Sequence, residues 1–262
     1  MKIVVLCGGV SPEREVSLST GAKVASALRE KGHLTALVDS ALDITADPES
    51  LFTTEPINNT ASIRENAPDV AELQARGEFF GRGVLEVCGM ADMVFNAMHG
   101  AAGEDGTLQS TFDLMGIKYT GSGSKACSVS MDKTVAKRIM APVEGVTMPR
   151  GVTLLRDDFD GNELSYAASV LKDVGIPMVV KPACGGSSVG VSIVRSEEEL
   201  LPAIELALSY EPKAVAEEYI KGREFSVGVL GGRALPLSLH DKHGQQVRAD
   251  VFPAGSLIAA DH

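Results

Sequence analysis

The chain has 262 residues, 44% of them hydrophobic and 23% charged, with a formal net charge of −11. Such a length holds one large or two to three small domains around a sizeable core, and the composition is that of an ordinary globular protein. The acidic balance argues against a nucleic-acid footprint, and no run of about 18 apolar residues points to a membrane span. "MKIVVLCGG" reaches glycine too soon for a signal peptide, so a cytoplasmic protein is expected.

In chain order, "KIVVLC" (2–7) reads as a buried parallel strand. "GGVSPERE" is a turn, "EVSLSTGAKVASALREKG" has helical spacing and ends on glycine, and "HLTALVD" is a second strand. This βαβ opening favours a doubly wound sheet. Residues 41–90 are less regular and read as a possible insertion. "DMVFNAMHG" (92–100) is a strand running into a loop, "TLQSTFDLMG" a helix and "IKYTGSGS" a short strand and turn. One helical run is expected from Lys125 to Met140, then strands at 150–155 and 177–181. A helix over 196–209 starts at Ser196, with Glu199 at capping-box spacing. "AVAEEYI" and "EFSVGVLGG" are strands joined by "KGR". Cys7, Cys88, Cys127 and Cys184 are scattered, with no CxxC or Cys/His cluster, and read as buried thiols.

Five stretches could carry chemistry. In "CGGVSPEREVSL", free amides and a helix dipole face an incoming anion, although carboxylates such as Glu13 and Glu15 also stabilise a helix start. "YTGSGSKA" fits GxGxxA at Gly121, Gly123 and Ala126. No acidic residue follows about 20 residues on, so a tight turn into a helix is the better reading. His99 ends a strand, where α/β sheets place site residues, or it caps a loop. In "VVKPACGGSSVGVSIV" an apolar strand ends in Lys181 beside a glycine/serine loop and a second strand. Such a hairpin can fold its loop over phosphates while the lysine reaches them from the sheet. The carboxylates of "AEEYIKGREFSVGVL" read, on their own, as exposed edge charges.

Taken in order, "LCGGVSPEREVSLSTG", "AMHGAAGEDGTLQ", "YTGSGSKACSVSMDK", "GIPMVVKPACGGSSVGV" and "AEEYIKGREFSVGVL" resemble the D-alanine–D-alanine ligases of the ATP-grasp superfamily, over residues 1 to about 236. The resemblance implies a mixed α/β and α+β chain. A Rossmann-like α/β substrate domain (1–121) would be followed by a central ATP-grasp subdomain with a glycine-rich lid (122–215). The start of a C-terminal subdomain (216–262) would complete the chain as given. It also implies ATP and Mg2+, D-alanine as substrate, a homodimer, and neither nucleic-acid nor membrane partners.

By the same resemblance, Glu13 holds the first substrate's ammonium and His99 lies near an acyl phosphate. Lys133 and Lys181 bind phosphate. Gly185, Gly186 and Ser188 belong to the lid, whose Ser187 links to Glu13. Glu217 falls on the adenine side, the backbone of Glu218, Tyr219 and Ile220 meets the base, and Glu224 binds ribose. Two departures stand out. No Glu-x-Asn pair follows Glu224, and Asp250 does not match the family's metal aspartate, so metal ligands are expected from a segment absent here. This leaves a fragment or a nucleotide-binding pseudoenzyme as alternatives. His240 stands where D-alanine–D-lactate ligases carry histidine, which leaves lactate (or D-serine) as an alternative second substrate.

Overall fold

The computed structural model describes residues 1–56, 70–75, 77, 79–186, 189–222, 225–230, 232–234, 238–240 and 246–248. The first half is built on a parallel sheet. Strands β1 (Lys2–Cys7), β2 (Leu34–Asp39) and β3 (Met93–Asn96) lie in the order β2-β1-β3. Lys2 stands opposite Leu34 and Ile3 opposite Met93, and Tyr119 pairs in parallel beyond β3, at Val94.

The apolar run of β1 has a direct cause. Val4 and Leu6 face one core, with Val84, Val87, Leu108 and Phe112; Val5 and Cys7 face another, with Leu18 and Ala25 of helix α1 (Arg14–Glu30). A strand covered on both faces has no polar side to show, which is why its sequence does not alternate. Helix α1 comes so close that a Cβ on Gly21 would lie 2.6 Å from Cys7 Cβ. Burial pushes the Cys7 and Cys88 thiols up to about 12. Helices α2 (Val84–Gly89) and α3 (Thr107–Met115) cover the opposite face. Val84, Val87 and Cys88 are fully buried there, so this part of the irregular 41–90 stretch is core and not an insertion.

The second half is built on an antiparallel sheet in the order β4-β7-β5-β6. Its strands are β4 (Gly151–Leu155), β5 (Met178–Pro182), β6 (Ser192–Val194) and β7 (Lys213–Glu218). Leu154, Met178, Val180, Val194, Ala214 and Ala216 face helices α6 (Glu163–Val174) and α7 (Leu200–Tyr210). Because side chains alternate along a strand, Lys181 and Glu217 point to the other face. Ser196 and Glu199 form the expected capping box, opening a short 3-10 turn that leads into α7.

The helical run 125–140 is two helices, α4 (Ser124–Met131) and α5 (Lys133–Met140). Asp132 breaks it. Its backbone is extended, and its side chain accepts from Thr134 N at 2.9 Å and Val135 N at 3.3 Å, capping a new helix. The strands flanking "KGR" do not pair with each other. β7 lies between β4 and β5, whereas β8 (Phe225–Ser226) pairs with β11 (Ser238–His240), which also pairs with β12 (Gln246–Arg248). β9 (Val229–Leu230) and β10 (Arg233–Ala234) form a two-stranded ladder. Among the described residues no helix is long and apolar enough to cross a membrane.

Candidate functional site

The site begins where β1 and β3 end. The loop after β1 is shaped by a buried ion pair that the sequence reading did not single out. Arg14 donates to Gly9 O at 2.7 Å and spans both carboxylate oxygens of Asp39, at 3.0 and 2.5 Å. A guanidinium at the first turn of a helix opposes the helix dipole, and Asp39 supplies the missing negative charge. Ser17 Oγ accepts from Gly8 N at 2.8 Å and donates to Ala97 O at 2.7 Å, tying this loop to the one after β3. Ser11 adds a second tie: its hydroxyl donates to His99 O at 2.7 Å and accepts from Glu13 N at 3.2 Å.

These ties bring Glu13 and the "MHG" loop together. Gly100 has φ +72°, a region that favours glycine, and a Cβ built on it would lie 2.6 Å from Glu13 Oε2. The same oxygen lies 3.8 Å from the Cβ position of Gly186. The carboxylate of the first βα turn thus sits against the glycine loop of the second sheet. His99 Nε2 is 3.3 Å from Thr20 Oγ1, and its Nδ1 is 3.9 Å from Glu104 Oε1.

On the open face of the antiparallel sheet, Lys181 stands opposite Val215 and Val179 opposite Glu217. Lys181 and Glu217 are therefore diagonal neighbours, within reach of a long side chain. They form an ion pair through Glu217 Oε1, and Lys137 of α5 meets Oε2 at 3.2 Å. Burial alone would raise the Glu217 carboxyl. Lys181 and then Lys137 outweigh it, and the net direction is down. Glu217 is no edge charge: it stands one residue from the end of an inner strand, and its side chain is only 12% exposed.

Lys133 opens α5, where a cation is disfavoured by the helix dipole. Its ammonium instead turns to carbonyls at the root of the lid, donating to Gly185 O at 2.8 Å and Ala183 O at 3.3 Å. Burial and the nearby Lys181 lower its pKa. Asp132 fixes the start of this helix on the sheet through Lys213 at 2.6 Å. Burial would raise the Asp132 carboxyl, but Lys213 and the Thr134 and Val135 donors bring it down to about 2. Cys184, next to Gly185 in the chain, donates its backbone N–H to Glu211 at 2.7 Å. Burial, Glu211 and Asp132 push its thiol up to about 11.

The expected adenine-side residues lie at the end of β7. Glu218 accepts from Arg150 N at 2.9 Å, and Tyr219 N donates to Pro177 O at 3.0 Å. Ile220 is 64% exposed, an apolar side chain offered to solvent just beyond the end of β7. The structure thus gathers Glu13, His99 and Gly186 in one place, and Lys133, Lys181, Gly185 and Glu217 in a second place joined to it through the Gly185–Gly186 step. Ser187, Ser188, Glu224 and Asp250 lie outside the described residues. His240 ends β11, paired with Gln246. Among the described residues no group of three or more His, Cys, Asp or Glu is placed to hold a metal ion, so these residues define no magnesium site.

Lys137, Asp132, Lys213 and Arg14 were not singled out from sequence. Only Lys137 left a signal: it follows Lys133 by four residues, hence on the same helix face.

Known proteins match the chain over both halves. The profile described as the D-ala D-ala ligase N-terminus matches residues 2–122, and that described as the D-ala D-ala ligase C-terminus matches residues 140–249. A D-alanine--D-alanine ligase of Pediococcus pentosaceus is 39% identical over 90% of this chain and 67% of its own length. One of Lacticaseibacillus casei is 37% identical over 89% of this chain and 65% of its own. The chain thus spans about two thirds of the length of these relatives. The crystal structure of a D-alanine--D-alanine ligase from Bacillus anthracis superposes with TM-score 0.61 at 30% identity, covering 96% of this chain and 70% of that one. A structure of the same enzyme complexed with ATP gives the same TM-score. With both profiles in register on the two sheets just described, the chain belongs to the D-alanine–D-alanine ligase family and has its ATP-grasp fold.

Proposed function

We propose that the protein is an ATP-dependent D-alanine–D-alanine ligase of the cytoplasm, making the dipeptide used in peptidoglycan precursors. The observation that carries this reading is the approach of Gly186 to Glu13. The carboxylate suited to an amino acid's ammonium lies under the loop suited to ATP's phosphates. The names of the curated relatives favour D-alanine over D-lactate as second substrate. Residues 1–121 would form the substrate domain, 122–215 the central ATP-grasp subdomain, and 216–262 the start of the C-terminal one.

Two steps follow. A carboxylate oxygen of the first D-alanine attacks the γ-phosphorus of ATP; the new O–P bond forms as the bond to ADP breaks. The amine of a second D-alanine then attacks the carbonyl carbon of the acyl phosphate. A C–N bond forms, the C–O bond to phosphate breaks, and the ammonium protons pass to solvent.

In this scheme Glu13 fixes the first ammonium, with Ser187 of the lid linked to it, and His99 adjoins the acyl phosphate. Lys133 and Lys181 offset charge on the transferred phosphoryl group. Backbone amides of Gly185 and Gly186, with Ser188, close over the phosphates. Glu217 and the strand end at Glu218, Tyr219 and Ile220 receive the base, and Glu224 the ribose. Magnesium, when bound, would supply positive charge against the phosphates. No group of three or more His, Cys, Asp or Glu among the described residues is placed to hold it. We also assign a homodimer.

Glu13→Gln tests the reading. It should raise the D-alanine KM at least tenfold, since about one charge-assisted contact is lost, while ATP affinity holds. An unchanged D-alanine KM would contradict it.

A further inference from the structure

Lys137 has no part in the scheme above, yet it holds one oxygen of Glu217 while Lys181 holds the other. All three are largely covered, with side-chain exposures of 24% for Lys137, 26% for Lys181 and 12% for Glu217. Contacts of this kind differ from surface ion pairs, because a covered carboxylate left without a partner loses hydration it cannot recover. Lys133 stands on the same helix face, one turn before Lys137. Two ammonium groups therefore pair with one carboxylate, and a third, that of Lys133, stands close enough to feel both Lys181 and Glu217.

A polyphosphate entering beside Lys133 will attract Lys181. Lys181 cannot follow it and still neutralise Glu217 alone. We propose that Lys137 is a positioning residue: it keeps the Glu217 carboxylate neutralised so that Lys181 is free to turn to the nucleotide's phosphates. This rests on the ligase reading only in taking ATP as the ligand. Lys137 acts through Glu217 and does not touch the nucleotide. Without it, Lys181 is the remaining direct ion-pair partner of Glu217 among the described residues, and nucleotide binding must either forgo Lys181 or strand a covered charge.

The test is a double-mutant cycle on ATP affinity, measured by calorimetry on the full chain. Lys137→Met should weaken ATP binding by about tenfold or more, the scale of one lost charge-assisted contact. In a Glu217→Gln background the same change should cost less than about threefold, because no carboxylate then needs neutralising. Lys137→Arg should restore most of the affinity, which a loss of packing alone would not predict. Equal losses in both backgrounds would mean that Lys137 contacts the nucleotide itself, and would overturn the proposal. So would unchanged affinity in Lys137→Met. If Lys137→Met melts below the assay temperature, Lys137→Gln takes its place in the cycle with the same expectations. Failure of the unchanged protein to bind ATP would overturn the ligase reading and this proposal together; binding that ignores Lys137 overturns this one alone.

Discussion

Glu13 and Gly100 compete for one space: a Cβ on Gly100 would fall 2.6 Å from Oε2 of Glu13. The glycine is required twice over, by its φ of +72° and by the carboxylate pressed against it. Gly100→Ala should therefore displace Glu13. The expected result is a D-alanine KM raised at least tenfold, with ATP affinity kept, and a stability loss of about 1–2 kcal/mol from the left-handed backbone. Steady-state kinetics with each substrate varied, and a melting curve, check both parts.

Lys181 stands on β5, paired with Glu217, and is assigned above to the phosphates of ATP. Lys181→Met should weaken ATP binding by about tenfold or more and flatten its dependence on salt, since one charge–charge contact is lost. Calorimetric titrations at low and high ionic strength measure this. Unchanged affinity would remove Lys181 from the phosphate site.

Asp132 gives a pH signature. Its carboxyl sits at about 2 in the folded protein, below the ordinary value of 3.8. A depressed carboxyl contributes stability that is fully present above the unfolded pKa and is lost as pH falls through the folded one. Asp132→Ala should cost about 1–2 kcal/mol near pH 6, for the lost helix cap and its pairing with Lys213. The gap in melting temperature between the two proteins should then narrow between pH 4 and pH 2, by about the loss of the ionised form. A gap independent of pH would contradict the assignment.

Cys184 should be a slow thiol despite its partly exposed position. With its pKa pushed to about 11, little thiolate exists at pH 8. Glu211→Gln removes the nearest negative charge yet keeps an acceptor for the Cys184 N–H, so alkylation of Cys184 should speed up. Mass-spectrometric labelling rates for each cysteine read this directly.

How far the sequence carried the account depends on the range of the forces involved. Strand β1, helix α1, the Lys181 hairpin and the Ser196–Glu199 capping box were legible because periodicity and caps are local. The break at Asp132 was not: aspartate on a helix surface and aspartate at a helix start look alike until its partners, Thr134 N and Lys213, are seen. Glu217 was read as an edge charge because sequence does not tell an inner strand from an outer one. Arg14 became visible only through a partner 25 residues away, and the role of Lys137, hinted at by its spacing from Lys133, only through one 80 residues away. Residue roles at the site came from family resemblance; the structure adds which of those residues meet.

The most direct measurement is product formation by the protein with ATP, magnesium and D-alanine. One phosphate should be released per D-alanyl-D-alanine formed, none with L-alanine, and both signals should be lost in Glu13→Gln. ATP bound without D-alanine-dependent phosphate release, or equal release with L-alanine, would contradict the ligase reading.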